Sequence, residues 1–144
     1  MPDRAAIVAE ARAWIGTPYR HQASLKGAGA DCLGLVRGVW RATVGPEPEA
    51  AAPYTRDWAE ASGRERLAAA ARRHMAEIEP DAARPGDVLL FRFRPHLPAK
   101  HAGILVAPGR FVHAYDGAGV VESPLGPWWA RRLAFAFAFP GVSI

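Results

Sequence analysis

The sequence predicts an α+β fold in which helices come first and an antiparallel sheet follows. In the first half of the chain, apolar residues recur at helical spacing. In the second half, short apolar or alternating runs are separated by turn residues. The chain has 144 residues, half of them hydrophobic, which suits one domain with one core. We therefore expect a single domain over residues 1–144.

Three helical regions are expected before the sheet. The first begins after Asp3, a favourable N-cap, and ends at Gly16. The second begins after Asp31, another favourable N-cap, and runs to about Thr43. A third covers roughly residues 57–78, and its apolar stripe indicates ordinary packing.

Strands are expected from residue 88 onward, each bounded by turn residues. The first begins as a fully apolar run, which indicates a buried strand, and the last alternates alanine with phenylalanine. Glycine, proline and aspartate mark the turns between them. The predicted strands cover residues 88–93, 101–106, 110–115, 120–123 and 133–139.

The second and third of these strands form a predicted hairpin that carries two histidines. If its turn centres near Ala107, His101 lies directly opposite His113. Facing residues in an antiparallel pair have Cβ atoms about 4.5–5.5 Å apart. Two imidazoles at that distance can share a hydrogen bond, and one can fix the tautomer of the other. The alternative is two unrelated histidines on one face of the sheet.

The only cysteine, Cys32, stands where a glycine-rich loop becomes the second helix. Free N–H groups and the helix dipole stabilise a thiolate at such a position. A cysteine followed far downstream by His101 and His113 is the order expected of a cysteine hydrolase. Because a carboxylate beside the thiolate would raise its pKa, we expect Asp31 to point at backbone N–H groups. The alternative is a small core cysteine, as most single cysteines are.

Composition excludes several classes of protein. One cysteine allows no disulfide within the chain, and the longest apolar runs, about seven residues, fall short of the roughly 20 that span a membrane. Because charged residues occur early in the chain, we expect no secretory signal. The net charge of +4 comes from scattered basic residues, so nucleic-acid binding is not indicated. Mild positive charge equally suits an anionic polymer such as a cell wall.

These motifs together resemble those of the NlpC/P60 cysteine peptidases. The matching segments occur in the family's order within residues 11–123, and the combination is far more specific than any one of them. They are residues 14–19, 31–36, 86–91, 101–104 and 111–114. The stretches 18–22 and 31–35 are most similar to the cell-wall peptidases of phage tails and gene transfer agents.

The resemblance implies a papain-like fold, with the nucleophile at a helix N-terminus packed on an antiparallel sheet. It implies that Cys32 is the nucleophile, His101 the general base and His113 the residue that orients it. Tyr19 would contribute to the oxyanion site, and no cofactor or metal is implied. Leu33 departs from the pattern, since most members have serine there, and it should alter packing or substrate contact.

The implied substrates are stem peptides of bacterial peptidoglycan, commonly cleaved between γ-linked D-glutamate and a diamino acid. Such peptides are rich in carboxylates, and Arg20, His21 and Arg110 are candidate partners for them. With no export signal expected, the implied location is the tail of a phage-like particle made in the bacterial cytoplasm. A tail hub or baseplate protein would then be the partner.

Three alternatives stay open at this point. The chain could be a binding or structural tail module, with Trp128, Trp129 and the phenylalanines of residues 135–139 as its interface. Cys32, His101 and His113 could instead hold a catalytic Zn²⁺. An acyltransferase or amidase of the same fold is the third alternative.

Overall fold

The computed structural model describes residues 2–48 and 65–143. In these ranges the order of elements confirms helices first and sheet second. The helices are α1 (Arg4–Ala13), α2 (Cys32–Thr43), α3 (Arg66–His74) and α4 (Pro127–Ala130), with a 3₁₀ turn at Pro80–Ala82. The strands are β1 (Ser24–Leu25), β2 (Gly29–Ala30), β3 (Ala76–Ile78), β4 (Val88–Phe91), β5 (His101–Ala107), β6 (Arg110–Tyr115), β7 (Gly119–Pro124) and β8 (Leu133–Ala138).

The first two helices begin where their caps predict. The Asp3 carboxylate accepts a hydrogen bond from the N–H of Ala6 at 2.7 Å, and Asp31 caps α2 in the same way. The predicted end of α2 at Thr43 is also confirmed. None of the helices in residues 2–48 and 65–143 has the length and apolar character of a membrane span.

Six strands form one antiparallel sheet in the order β3-β8-β4-β5-β6-β7. The helices α1 and α2 pack on it, with contacts to the central strand β5. The main core lies between these layers and includes the fully buried side chains of Ile7, Leu35, Val39, Ile104 and Phe137. The first residue of α2 is thereby held next to the first residue of β5.

The third helical prediction is only partly correct. Of the predicted residues 57–78, those from 57 to 64 lie outside the described residues. Helix α3 ends at His74 because Met75 is extended, and Ala76–Ile78 then pairs with β8 as an edge strand. These three residues form hydrogen bonds with the neighbouring strand β8, and such pairing depends on tertiary contacts that local propensity does not predict.

The register of the β5–β6 hairpin is also wrong as predicted, by two residues. Ile104 pairs with Val112, and the register shifts before the turn, where Ala107 pairs with Arg110. Continuing this pairing places His101 diagonally from His113 instead of directly opposite. Because the shift is an even number of residues, both histidines still lie on the same face of the sheet.

Candidate active site

Asp31 joins the start of α2 to the loop before it. Its carboxylate accepts one hydrogen bond from the N–H of Gly34 and one from the N–H of Gln22, both at 2.7 Å. The expected capping role of Asp31 is therefore confirmed. Because Gln22 belongs to the loop that carries Tyr19 and His21, this carboxylate fixes that loop against the helix that begins with Cys32.

Glycine at position 34 allows this close packing. A Cβ atom on Gly34 would lie 1.8 Å from the carbonyl oxygen of Ala23, which is backbone and cannot rotate away. The hydroxyl of Ser24 also donates to the Gly34 carbonyl oxygen at 2.6 Å. The loop and the first turn of α2 thus touch backbone to backbone.

The two predicted histidines are in direct contact on neighbouring strands. His101 is the first residue of β5, His113 lies within β6, and their side chains are 6 % and 2 % exposed. The Nε2 atom of His101 lies 2.8 Å from the Nδ1 atom of His113. Since Nε2 of His101 is committed to this bond, Nδ1 is its remaining nitrogen for proton transfer.

A serine that the sequence interpretation missed extends this contact. The Nε2 atom of His113 lies 3.0 Å from the hydroxyl of Ser123 on β7. Ser123 pairs with Phe111, and Val121 pairs with His113, so the serine lies on the histidine face of the sheet. A polar residue at an inward position of an alternating strand was the available signal.

Aromatic rings enclose the histidine pair. Trp129 of α4 stacks on His101, with ring centroids 5.2 Å apart and planes 27° apart, and its ring is nearly perpendicular to that of His113. Phe91 and Tyr115 also lie within 6 Å of His101. The sequence analysis named Trp129 as part of a possible interface, and in the structure its ring packs on the two histidines. These aromatic rings exclude water from most of the surface of both imidazoles.

Cys32 and His101 line the same cleft, which has a cavity volume of about 310 Å³. Tyr19 and His21 also line it, as do Asp31, Leu33, Leu67, Phe93, Lys100, Ala114, Tyr115 and Asp116. The Sγ atom of Cys32 lies 3.8 Å from the carbonyl oxygen of Lys100, the residue before His101.

Two of the predicted site residues lie outside this lining. His113 stands behind His101, where it lines a second cavity of about 360 Å³ with Ser123 and Trp129. The Arg20 side chain packs on the β1–β2 hairpin, and its Nε donates to the carbonyl oxygen of Ala28 at 3.1 Å. The structure therefore does not bring Arg20 to the cleft, because hairpin contacts direct its side chain elsewhere.

Burial keeps the side chains of Cys32 and His101 neutral. Burial, and then the negative charge of Asp31, raise the pKa of the Cys32 thiol to about 12. Hydrogen bonds from the backbone N–H groups of Ala102 on β5 and of Leu33 and Cys32 at the helix start oppose this rise but do not overcome it. Burial, with the charges of His113 and Lys100, lowers the pKa of His101 to about 3. The helix N-terminus alone therefore does not produce a thiolate here.

Burial has the same effect on the second histidine. It lowers the pKa of His113 to about 4, so both imidazoles are neutral at pH 7. Each ring then carries one N–H and one bare nitrogen.

The zinc alternative is not favoured by this geometry. In residues 2–48 and 65–143 no group of three or more His, Cys, Asp or Glu side chains is arranged to hold a metal ion. The Nε2 of His101 and the Nδ1 of His113 face each other in a hydrogen bond. Those two nitrogens cannot at the same time direct their lone pairs to a shared ion.

Two bacterial enzymes are similar to most of this chain. It is 28% identical over 139 residues to the gamma-DL-glutamyl hydrolase of Bacillus subtilis (strain 168), a match that covers 96% of this chain and 30% of that protein. It is 29% identical over 120 residues to the murein DD-endopeptidase MepS/murein LD-carboxypeptidase of Escherichia coli (strain K12). That match covers 83% of this chain and 54% of that protein. The chain therefore spans about half of these relatives or less.

Solved structures share the fold. The NlpC/p60 domain of the peptidoglycan hydrolase SagA superposes with a TM-score of 0.65 at 28% identity, covering 94% of this chain and 98% of that one. An NlpC/P60 family protein from Bacillus cereus superposes with a TM-score of 0.71 at 16% identity. That match covers 96% of this chain and 40% of that one. The model of the NlpC/P60 family matches residues 16–137. With most of its length matched and its fold shared, this chain belongs to the NlpC/P60 family.

Proposed function

We propose that this chain is a cysteine peptidase that hydrolyses amide bonds in peptidoglycan stem peptides. The observation that carries the proposal is the shared cleft of Cys32 and His101, with His113 hydrogen-bonded behind His101. A nucleophile, a base and a group that orients the base are the parts that covalent amide hydrolysis needs. The names of the relatives, a glutamyl hydrolase and a murein endopeptidase, support the same reaction class.

In the proposed reaction the first proton transfer accompanies attack. The thiol of Cys32 gives its proton to Nδ1 of His101 while its sulfur bonds to the substrate carbonyl carbon. The protonated His101 then gives that proton to the leaving nitrogen, the C–N bond breaks, and a thioester remains. His101 next takes a proton from water while the water oxygen attacks the thioester carbon. The C–S bond then breaks, the acid leaves, and His101 returns the proton to the Cys32 sulfur. Because both groups are neutral at rest, the proton moves only as the sulfur attacks an electrophile.

The oxyanion of the tetrahedral intermediate needs donors near the sulfur. The backbone N–H of Cys32 belongs to the first turn of α2, whose N–H groups have no acceptor within the helix. The hydroxyl of Tyr19, on the same cleft, is the second donor in this proposal. Losing one such donor typically lowers the rate by about 10²–10³.

The bond proposed for cleavage joins γ-linked D-glutamate to a diamino acid. The gamma-DL-glutamyl hydrolase among the relatives supports this choice. A substrate of this kind presents both carboxylates and amines. Lys100 and His21 on the cleft lining suit the carboxylates, and Asp116 suits an amine. In this proposal Lys100 takes the role that the sequence suggested for Arg20.

The test is digestion of purified peptidoglycan, with the fragments identified by mass spectrometry. Wild type is expected to release fragments with a new D-glutamate terminus, and Cys32→Ala to lose more than about 10³-fold in rate. Thr43→Ala, which removes a hydroxyl bonded to the Val39 carbonyl at the far end of α2, is the control expected to retain activity.

Three results would overturn the proposal. Folded Cys32→Ala that still releases fragments would exclude the nucleophile. Wild-type protein that binds peptidoglycan without cutting it would support the binding-module alternative. Loss of activity on chelation, restored by Zn²⁺, would support the zinc alternative.

We also propose that the peptidase is carried by the tail of a phage-like particle or gene transfer agent, in contact with a tail hub or baseplate protein. The stretches 18–22 and 31–35, similar to the peptidases of such tails, support this location. Mass spectrometry of particles purified from the source cells is expected to find this chain in the tail fraction. Its absence from intact particles would refute the location and leave the enzymatic proposal standing.

A further inference from the structure

The hydrogen bonds that begin at His101 continue past His113. His101 Nε2 lies 2.8 Å from His113 Nδ1, and His113 Nε2 lies 3.0 Å from the hydroxyl oxygen of Ser123. We infer that Ser123 is a positioning residue that determines which nitrogen carries the proton in both histidines. The inference rests on the proposed roles of Cys32 and His101.

The direction in which these hydrogen bonds donate decides whether His101 can act as a base. A neutral imidazole has one N–H and one acceptor nitrogen, so each contact must pair a donor with an acceptor. When the Ser123 oxygen accepts from Nε2–H of His113, the Nδ1 of His113 is left to accept from Nε2–H of His101. The Nδ1 of His101 then keeps its lone pair and can take the proton of Cys32.

The reverse direction would prevent the reaction. If the Ser123 hydroxyl donated to Nε2 of His113, Nδ1–H of His113 would donate to His101. The Nδ1 of His101 would then carry hydrogen and could not accept a proton from Cys32. We assign the serine oxygen as the acceptor because only that order leaves a base in the cleft.

The surrounding residues favour this direction of the hydrogen bonds, although water can reach one end of them. Both rings are buried, and Trp129 packs against each of them, so they exchange few hydrogen bonds with water. Ser123, however, also lines the second cavity, whose remaining walls include Tyr115 and Trp128. Water entering that cavity can partly replace the lost hydroxyl, so the expected effect of its removal is modest.

The experiment compares Ser123→Ala, Ser123→Thr and the control Thr43→Ala. Nitrogen-15 NMR of ring-labelled histidine reports the protonated nitrogen, with signals assigned through His101→Gln and His113→Gln. The rate of Cys32 alkylation by iodoacetamide at pH 7 reports transfer of the thiol proton to His101. Neither measurement needs a substrate.

In wild type we expect hydrogen on Nε2 of both histidines. In Ser123→Ala we expect a rise in the Nδ1–H form of both rings and a fall of about two- to ten-fold in alkylation rate, the usual worth of one neutral hydrogen bond. Ser123→Thr keeps the hydroxyl and should restore both readouts. Thr43→Ala should change neither, although it removes a hydroxyl of similar burial.

Two results would overturn the inference: hydrogen on Nδ1 of His113 in the wild type, or a folded Ser123→Ala with unchanged tautomers and alkylation. These readouts are independent of the proposed substrate. If wild type does not cut peptidoglycan while the tautomers and alkylation respond as expected, the peptidoglycan assignment fails and the role of Ser123 stands.

Discussion

At the scale of single residues, Asp31 has two opposing effects on the site. Its carboxylate joins α2 to the loop through Gly34 and Gln22, which stabilises the cleft wall. The same charge, beside Cys32, raises the pKa of the thiol. A neutral cap would separate these effects, because asparagine caps helices about as well as aspartate.

We predict that Asp31→Asn lowers the pKa of the Cys32 thiol and speeds its alkylation at pH 8 by about three- to ten-fold. Stability should fall by about 1–3 kcal/mol, because the amide cannot accept from both N–H groups. Iodoacetamide kinetics and urea denaturation measure the two effects.

Asp3→Asn is the matched control, since Asp3 caps α1 in the same way at the N–H of Ala6. It should leave stability and the thiol nearly unchanged, because the amide oxygen can still accept from the single N–H of Ala6. If Asp31→Asn gives wild-type alkylation, the charge of Asp31 is not what holds the thiol protonated.

At the scale of elements, the contact of α2 with the preceding loop decides where Cys32 sits. The loop approaches the first turn of the helix so closely that no side chain fits at Gly34. Alanine within a helix usually stabilises by up to about 1 kcal/mol relative to glycine. At Gly34 the carbonyl oxygen of Ala23 occupies the space that the new Cβ atom would need, so alanine is expected to destabilise the protein.

Gly34→Ala is expected to destabilise the protein by about 3 kcal/mol, as overpacking against fixed backbone does. It should also lower activity by moving the loop that carries Tyr19 and His21. Thermal denaturation and the peptidoglycan digest measure these changes.

Gly126→Ala serves as the control, because open space surrounds the Cβ position there and its φ is −79°. It should change stability by less than about 1 kcal/mol. Equal stability losses in the two variants would show that the close approach at Gly34 is not the cause.

At the scale of the whole molecule, the sheet, α4 and the aromatic rings bury two neutral histidines. The pKa values of His101 and His113 are about 3 and about 4, below the usual 6.5. Between those values and 6.5 the unfolded chain binds protons that the folded chain does not. The free energy of unfolding is therefore highest above pH 6.5 and decreases progressively as the pH falls.

We predict that lowering the pH from 7 to 5 destabilises the protein by up to about 2 kcal/mol per buried histidine. Urea denaturation at a series of pH values measures the loss. The double variant His101→Gln/His113→Gln should show a smaller loss over this range. His96→Gln, which replaces an exposed histidine, should keep the wild-type dependence. A double variant with the wild-type pH dependence would contradict burial as the source.

The sequence by itself determined the features that depend on near neighbours in the chain. The cap at Asp31, the helix that begins with Cys32, and five of the strands in the second half each have a signal within a few residues. Their order, with the family motifs, was sufficient for the α+β fold and for the candidates Cys32, His101 and His113. Helical and strand periodicity are local, and so are readable without coordinates.

Only the tertiary structure decided how distant segments meet. It set the hairpin register, made Ala76–Ile78 a strand, brought Ser123 to His113, and directed Arg20 away from the cleft. It also decided that Cys32 is a protonated thiol at rest, which the helix start alone would not predict. Strand pairing, and the loss of water around a charge, depend on atoms far apart in sequence, and packing alone brings those atoms together.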